Sequence, residues 1–525
     1  VDSLTEQFGI RSLEFSPEFG FKLNKKKIFL QGNANHHDLG ALGSASYDKA
    51  IERMMLQLKS FGYNCIRCSH NPYSDSFARI ADRVGMLVVD ELTDKWSDND
   101  YWGGRQPFTH IWHKLITEWI KRDRNRPSII LWSLGNELQI REGWAGFEGT
   151  NDWGITTYNI FNQLVKRWDH TRLTTVAMFP ARAGAITRHD KEFNDYLVPP
   201  ELACATEVAS FNYQSDKYDA YLKYQPDLIL FQSEAETSNL LQPYYNMDRK
   251  RTVGMAYWGS AEYWGESNKW PKKGWNYSFF DHTMRPYPQA YLIKSAFMPE
   301  IPEVHIGVVD AAGAESVSWN DVTVGRMALN ECWNHIPGSR QSLFTYTNAH
   351  SVELLVNGQS MGVQQNDTTQ ANLRNMIYWK DVPYGNGGSV VAIARDKSGK
   401  EVARHRIETA GKAVALQIET ETPADWKADG MDLQYINVTA IDKKGRPVWD
   451  YNEPLTLQME GAARLVALDN GDHYTDELFQ GITSKRMYQG RMQIILRSTK
   501  TPSNVKLKIS SADLKEKLSL KTSLK

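Results

Sequence analysis

Glu137 closes the run IILWSLGNE and Glu234 closes LILFQSE, so two carboxylates almost a hundred positions apart are each delivered by an apolar, strand-like segment. Paired carboxylates on either side of one bond are the equipment of glycoside hydrolysis: one protonates the departing oxygen while the other acts as base or nucleophile. At a separation of about 5 to 5.5 Å the second attacks carbon directly and configuration is retained. In that case an ionised Glu234 raises the pKa of its neighbour and keeps Glu137 protonated until the nucleophile is esterified. Glu137 then becomes the base that activates water. Asn136, next to Glu137, is placed to hydrogen-bond a sugar hydroxyl beside the reacting carbon.

Other strand-like runs also stop in polar chemistry. GNAN leads through Asn35 to His36, His37 and Asp38; NCIRC to Ser69, His70 and Asn71; LVVDE ends in Asp90 and Glu91 and leads to Asp94; VASFN ends in Asn212 and leads to Tyr213; and GMAYW supplies Trp258, followed by Glu262 and Tyr263. Any one such ending could cap a helix; seven on one face are more than capping requires. His36 and His70 are expected to donate hydrogen bonds to sugar hydroxyls, and the Trp258 indole to form a floor for the C–H face of a pyranose. Trp96, Trp102, Trp264, Trp270 and Trp275, in loops on the same side, are candidate outer walls. Metal hydrolysis is the rival chemistry, because NHHD, His70 and Asp90 offer N and O ligands. Adjacent histidines on an extended segment point to opposite sides, however, so both can hardly bind one ion. The expected metal set is therefore none and no cofactor is required; an incidental Na+ or Mg2+ is compatible with such a pocket.

Eight short β-rich runs between residues 25 and 300 must position these groups: IFLQGNAN, NCIRCSHN, LVVDELTD, IILWSLGNE, LTTVAMF, VASFNYQ, LILFQSE and VGMAYWGSAEY. Amphipathic helical stretches such as DKAIERMMLQLKSFG and TTYNIFNQLVKRW separate several of them. Eight βα units of this kind close into a (β/α)8 TIM barrel, whose catalytic groups sit at the C-terminal ends of the strands. Glu137 and Glu234 then belong to strands four and seven, nearly opposite on the ring. From about residue 304 helical periodicity gives way to alternating strands such as SVELLVNGQSMG, with a further break near TAGKAV. The expected organisation is a barrel over 1–300, a β-sandwich over 301–412 and an immunoglobulin-like β-sandwich over 413–525.

The whole-chain numbers bound the partners. With 525 residues, 61 Lys plus Arg against 62 Asp plus Glu removes the electrostatic case for nucleic acid or an anionic membrane surface. No apolar run approaches the roughly 20 residues that span a bilayer. Four cysteines make no disulfide framework, and Cys65 and Cys68 read as buried free thiols.

The motifs GNANHHDLGALG, IRCSHNPYS, GMLVVDELTDKW, KRDRNRPSIILWSLGNE, FNYQ, FQSE and YWGSAEYWGE, in this order and spacing, closely resemble the catalytic domain of glycoside hydrolase family 2 over about residues 8 to 300. That group holds β-galactosidases, β-glucuronidases and β-mannosidases. The stretches ECWNHIPGSRQSLFTYTNAHSVELLVNGQSMG and ADGMDLQYINVTAIDKKGRPV look like the accessory β-sandwiches of bacterial β-galactosidase-type members.

The resemblance implies that Glu137 is the acid/base and Glu234 the nucleophile. Asn136, Tyr213, His36, His70 and Trp258 fall on family positions that hold the sugar or orient the nucleophile. Glu236 in SEAETSN is a competing carboxylate; strand alternation favours Glu234. FGIRSLEF looks like the junction after the jelly-roll and immunoglobulin-like domains that usually begin such proteins, so association with such domains, or with a second copy, is an expectation. SNKWPKKGW is closer to the galactosidase pattern than to that of glucuronidases. The implied function is a retaining exo-β-galactosidase acting on an oligosaccharide, in the periplasm or secreted from a bacterium. A β-glucuronidase, and a fragment that binds carbohydrate without catalysis, are the alternatives.

Overall fold

The computed structural model describes residues 2–3, 5–96, 108–138, 154–178, 199–235, 241–267, 270–275, 277–310, 315–319, 322–326, 328–422 and 424–524. They form two compact units. One holds residues 1–37, 58–260 and 317–324, and the other holds 38–57, 261–316 and 325–525.

All eight β-rich runs form strands of one closed parallel barrel within the first unit: β1 Leu30–Asn35, β2 Cys65–Cys68, β3 Leu87–Glu91, β4 Ile129–Asn136, β5 Leu173–Met178, β6 Val208–Asn212, β7 Leu230–Ala235 and β8 Thr252–Trp258. Neighbours pair in chain order and β8 closes onto β1, with Trp258 opposite Ala34. A small antiparallel sheet, residues 13–16, 20–23 and 26–27, precedes the barrel. The connecting helices include α1 Asp48–Ser60, α2 Asp75–Val84, α3 Phe108–Asp123 and α4 Ile155–Trp168. The termini of α2 are written in the sequence. The Ser74 hydroxyl accepts from the Phe77 amide at 3.2 Å, and Gly85 closes the helix at φ +70.

β4 is buried along its whole length, yet its two faces differ. Trp132 points out of the barrel: it lies edge-on to Trp119 of α3 at 4.9 Å, and its Nε1 donates to Asp169 at 2.9 Å. Ser133 points in and donates to Glu91 at 2.6 Å. The apolar IILW therefore serves both the barrel interior and the helical layer, as the two-residue period of a strand requires.

In the second unit the chain folds as two all-β sandwiches. The first pairs an antiparallel sheet of strands 304–309, 329–330, 340–347 and 376–383 with one of strands 351–356, 359–365, 389–395 and 401–408. Both contribute to one core that includes Leu343, Val352, Trp379 and Val390. The second pairs strands 413–420, 433–442, 463–469 and 491–498 with strands 454–460, 484–486, 504–511 and 514–521 around Trp426, Ile436, Leu457 and Ile494. The fold is thus a TIM barrel followed by β-sandwich domains. Cys65 and Cys68 are buried free thiols. No helix among the described residues is long and apolar enough to cross a membrane.

Candidate active site

The strand ends depart from regular pairing where the candidate residues sit. The register of β4 against β5 shifts between Ser133 and Asn136, and that of β7 against β6 shifts between Gln232 and Glu234. Such bulges re-aim side chains that strict alternation would place on opposite faces. Glu137 (φ +50) and Tyr213 (φ +59) both occupy the left-handed region, where a non-glycine residue carries a cost of order 1–3 kcal/mol. Gly135 is required on steric grounds: a Cβ there would lie 2.8 Å from Trp96 Nε1, which donates to the Leu134 carbonyl. Trp96 is accordingly buried beside the strand rather than forming an outer wall. Trp102 lies outside the described residues, as does Glu236.

The two carboxylates sit in one hydrogen-bonded network. Glu234 accepts from Arg67 Nη1 at 2.7 Å on one oxygen and from the Tyr213 hydroxyl at 2.7 Å on the other. Glu137 accepts from Asn212 Nδ2 at 3.1 Å, and the same amide nitrogen donates to Asn136 Oδ1 at 3.0 Å. Ser233 fixes the Asn212 amide by donating to its oxygen at 2.7 Å. Arg67 completes the circuit, donating to Asn136 Oδ1 at 2.9 Å and to both oxygens of Glu91.

Electrostatics then separate the two acids. Burial, reinforced by the negative charge of Glu234, pushes Glu137 up to about 8. Glu234 has a buried guanidinium against one oxygen and a phenol hydroxyl against the other. A carboxyl raised by burial beside one clamped by a cation gives the pair the different surroundings that an acid and a nucleophile need.

His70 and Asn136 are more committed than their expected role as sugar contacts requires. His70 Nδ1 lies 2.7 Å from Glu91 and its Nε2 lies 3.2 Å from Asn136 Nδ2, so both ring nitrogens are engaged. Burial, with Arg67 second, lowers His70 to about 3, which keeps the ring neutral. Asn136 accepts twice at Oδ1 and directs Nδ2 at Asp94, 3.0 Å away, as well as at His70. In this structure both residues brace the carboxylates. His36 joins through ring contacts, edge-on to His70 and Trp258, and Trp258 stacks on His70 at 5.4 Å and 3°. All seven candidates, Glu137, Glu234, Asn136, Tyr213, His36, His70 and Trp258, are therefore linked in one assembly.

The residues weighed for metal hydrolysis do not converge. His37 turns away from His36 to stack on Tyr73 at 4.7 Å, and Asp90 faces outward, accepting from Trp119 Nε1 at 2.7 Å.

Arg67 is the candidate residue that the motifs did not single out, whereas Glu91 and Asn212, which share its network, are among the polar strand ends. A lone arginine in the middle of a strand buried at every position, CIRC, was the available signal, since a buried cation must be paired. Replacing Arg67 with Met is expected to lower the stability of the barrel by about 3–5 kcal/mol, because Glu91 and Glu234 stay buried without their counter-charge. Denaturant unfolding monitored by tryptophan fluorescence measures this. Arg67→Lys recovers little, since one ammonium cannot reproduce the fork that reaches both carboxylates.

A closed parallel barrel with a buried acid and a clamped carboxylate at the ends of strands four and seven has the architecture of a glycoside hydrolase. The family model for the glycosyl hydrolases family 2 TIM barrel domain matches residues 18–253, and that for glycoside hydrolase family 2 C-terminal domain 5 matches residues 416–518. A domain of unknown function matches residues 338–403. The chain belongs to glycoside hydrolase family 2. A Bacteroides ovatus β-galactosidase is 27% identical over 98% of this chain and 64% of its own length. A β-glucuronidase of Streptococcus agalactiae is 35% identical over 158 residues, 27% of this chain and 26% of its own. The crystal structure of a family 2 member from Bacteroides cellulosilyticus superposes with a TM-score of 0.86 at 27% identity, over 98% of this chain and 65% of that one. The chain thus spans a little under two thirds of the Bacteroides ovatus relative and of the Bacteroides cellulosilyticus structure.

Proposed function

We propose that this chain carries the catalytic centre of a retaining exo-β-glycosidase that removes β-linked galactose from the non-reducing end of an oligosaccharide. The observation that carries the reading is the asymmetry of the two glutamates, Glu137 raised to about 8 and Glu234 held by Arg67 and Tyr213. In the first step Glu137 gives its proton to the glycosidic oxygen while a Glu234 oxygen bonds to the anomeric carbon, whose bond to the leaving oxygen breaks. Esterification removes the charge of Glu234, so Glu137, now ionised, is free to take a proton from the water that cleaves the ester. Asn136, Asn212 and Arg67 keep the carboxyl groups oriented, and the His36–His70–Trp258 ring cluster stands beside them.

Galactose is favoured by the likeness to the Bacteroides ovatus β-galactosidase, which runs through nearly the whole chain. A second reading, β-glucuronide cleavage, rests on the higher identity to the streptococcal β-glucuronidase over a shorter stretch. A panel of nitrophenyl β-glycosides of galactose, glucuronic acid, mannose and glucose decides between them. The expected result is the highest kcat/KM on the galactoside; a preference for the glucuronide overturns the assignment in favour of the second reading. Isothermal titration that shows heat of binding with galactosides, together with no product from any of the panel, would instead make the chain a carbohydrate-binding fragment.

A further inference from the structure

Within the second unit Glu262, His282 and His473 meet in a buried cluster. Each is less than 5% exposed. Glu262 Oε2 lies 3.2 Å from His282 Nδ1 and 3.4 Å from His473 Nε2, and the three atoms all lie within 4.8 Å of one another. Ligand atoms held about 2.0–2.1 Å from a tetrahedral Zn2+ are themselves about 3.3 Å apart. The two shorter separations match that edge.

The surroundings supply what ligands of such an ion need. His282 Nε2, the nitrogen facing away from the cluster, lies 2.8 Å from Asp469, the carboxylate–histidine arrangement that sets the tautomer of a metal-bound imidazole. Glu262 Oε1 accepts from the Tyr287 hydroxyl at 2.8 Å, which leaves Oε2 facing the histidines. The His473 ring is stacked on Trp264 at 5.1 Å and 19°, and Trp264 is itself anchored by its Nε1 donating to the Gly40 carbonyl. A Cβ at Gly40 would collide with the His282 carbonyl, so the loop can close over the cluster only with glycine there. A cavity of about 20 Å³ borders Glu262, His282 and Asp469, with room for one water.

We propose that Glu262, His282 and His473 form a structural site for one divalent transition ion, with Zn2+ the best fit. Two neutral imidazoles and a carboxylate suit Zn2+ better than Mg2+ or Ca2+, which take oxygen ligands. Glu262 and Asp469 bring two carboxylates toward the ion, and His282 releases its Nδ1 proton to solvent as the bond to the metal forms.

The test is metal binding itself. After treatment with chelator, the wild-type chain is titrated with Zn2+, passed through gel filtration and analysed for metal. The expected result is one retained ion per chain, with a higher Tm. His473→Leu and Glu262→Gln should weaken binding at least about tenfold, whereas His405→Leu, in the separate His305–Glu331–His405 group, should not. Circular dichroism in chelator checks folding. A wild-type chain that retains no ion, or a folded His473→Leu that binds as tightly as wild type, would each overturn the proposal.

Discussion

Replacing Glu234 with glycine is expected to lower kcat/KM on the preferred nitrophenyl glycoside by roughly 10⁴-fold or more, because no other group can form the covalent intermediate. Sodium azide should restore turnover by occupying the space of the lost carboxyl. The product identifies the site of the lost group. Attack by azide in place of Glu234 inverts the anomeric centre once and gives an α-glycosyl azide. In Glu137→Gly, azide instead attacks a glycosyl ester already inverted by Glu234 and gives a β-glycosyl azide. Carbon NMR of the two products separates these roles. Loss of Glu234 also strips Arg67 of one partner, so thermal melting must accompany the kinetics; Glu91 still pairs the guanidinium through both oxygens, which favours a folded variant.

The second large effect concerns pH. Since Glu137 must be protonated for the first step and stands near 8, activity on a substrate with a poor leaving group should fall as pH rises through about 8. Glu137→Gln should lower the rate on such a substrate by about 10²–10⁴-fold and remove that alkaline limb. A dinitrophenyl glycoside needs little protonation, so its glycosylation step should survive in the variant and the ester should accumulate as a burst. A retained alkaline limb would assign it to another group. The same shift carries a stability cost. The unfolded chain gives up this proton in the ordinary carboxylate range and the folded chain near 8, so ΔG of unfolding declines between those values.

The barrel was legible because its strands are short, apolar and separated by helical periodicity, and because seven of the eight end abruptly in polar residues. Glu137 and Glu234 stood out for the same reason: nothing in the run IILWSLG prepares for a carboxylate unless a site needs it. Arg67 was not legible in the same way. Its partners Glu91 and Glu234 lie 24 and 167 positions away, a pairing that only barrel closure creates. That Asn136 and Glu137 both serve the pocket follows from their position at the strand end, but its backbone cause, a bulge and a left-handed residue, is not written in residue type. Strict alternation assigns one residue of that pair to the wrong face. Trp132 shows the converse: a fully buried strand contains residues for two different layers, and burial alone does not say which. His70 and Asn136 are candidates by position, while their hydrogen bonds depend on groups brought by β2, β3 and β6.

The central claim, that Glu234 attacks the sugar while Glu137 supplies the proton, is tested most directly by trapping the intermediate. A 2-deoxy-2-fluoro galactoside with an activated leaving group slows both steps but spares the first enough for the ester to accumulate. Peptide mapping by mass spectrometry after this reaction should place a single fluorosugar on Glu234. A label on Glu236 or any other residue, or steady hydrolysis of ordinary substrate with inversion and no ester, would contradict it.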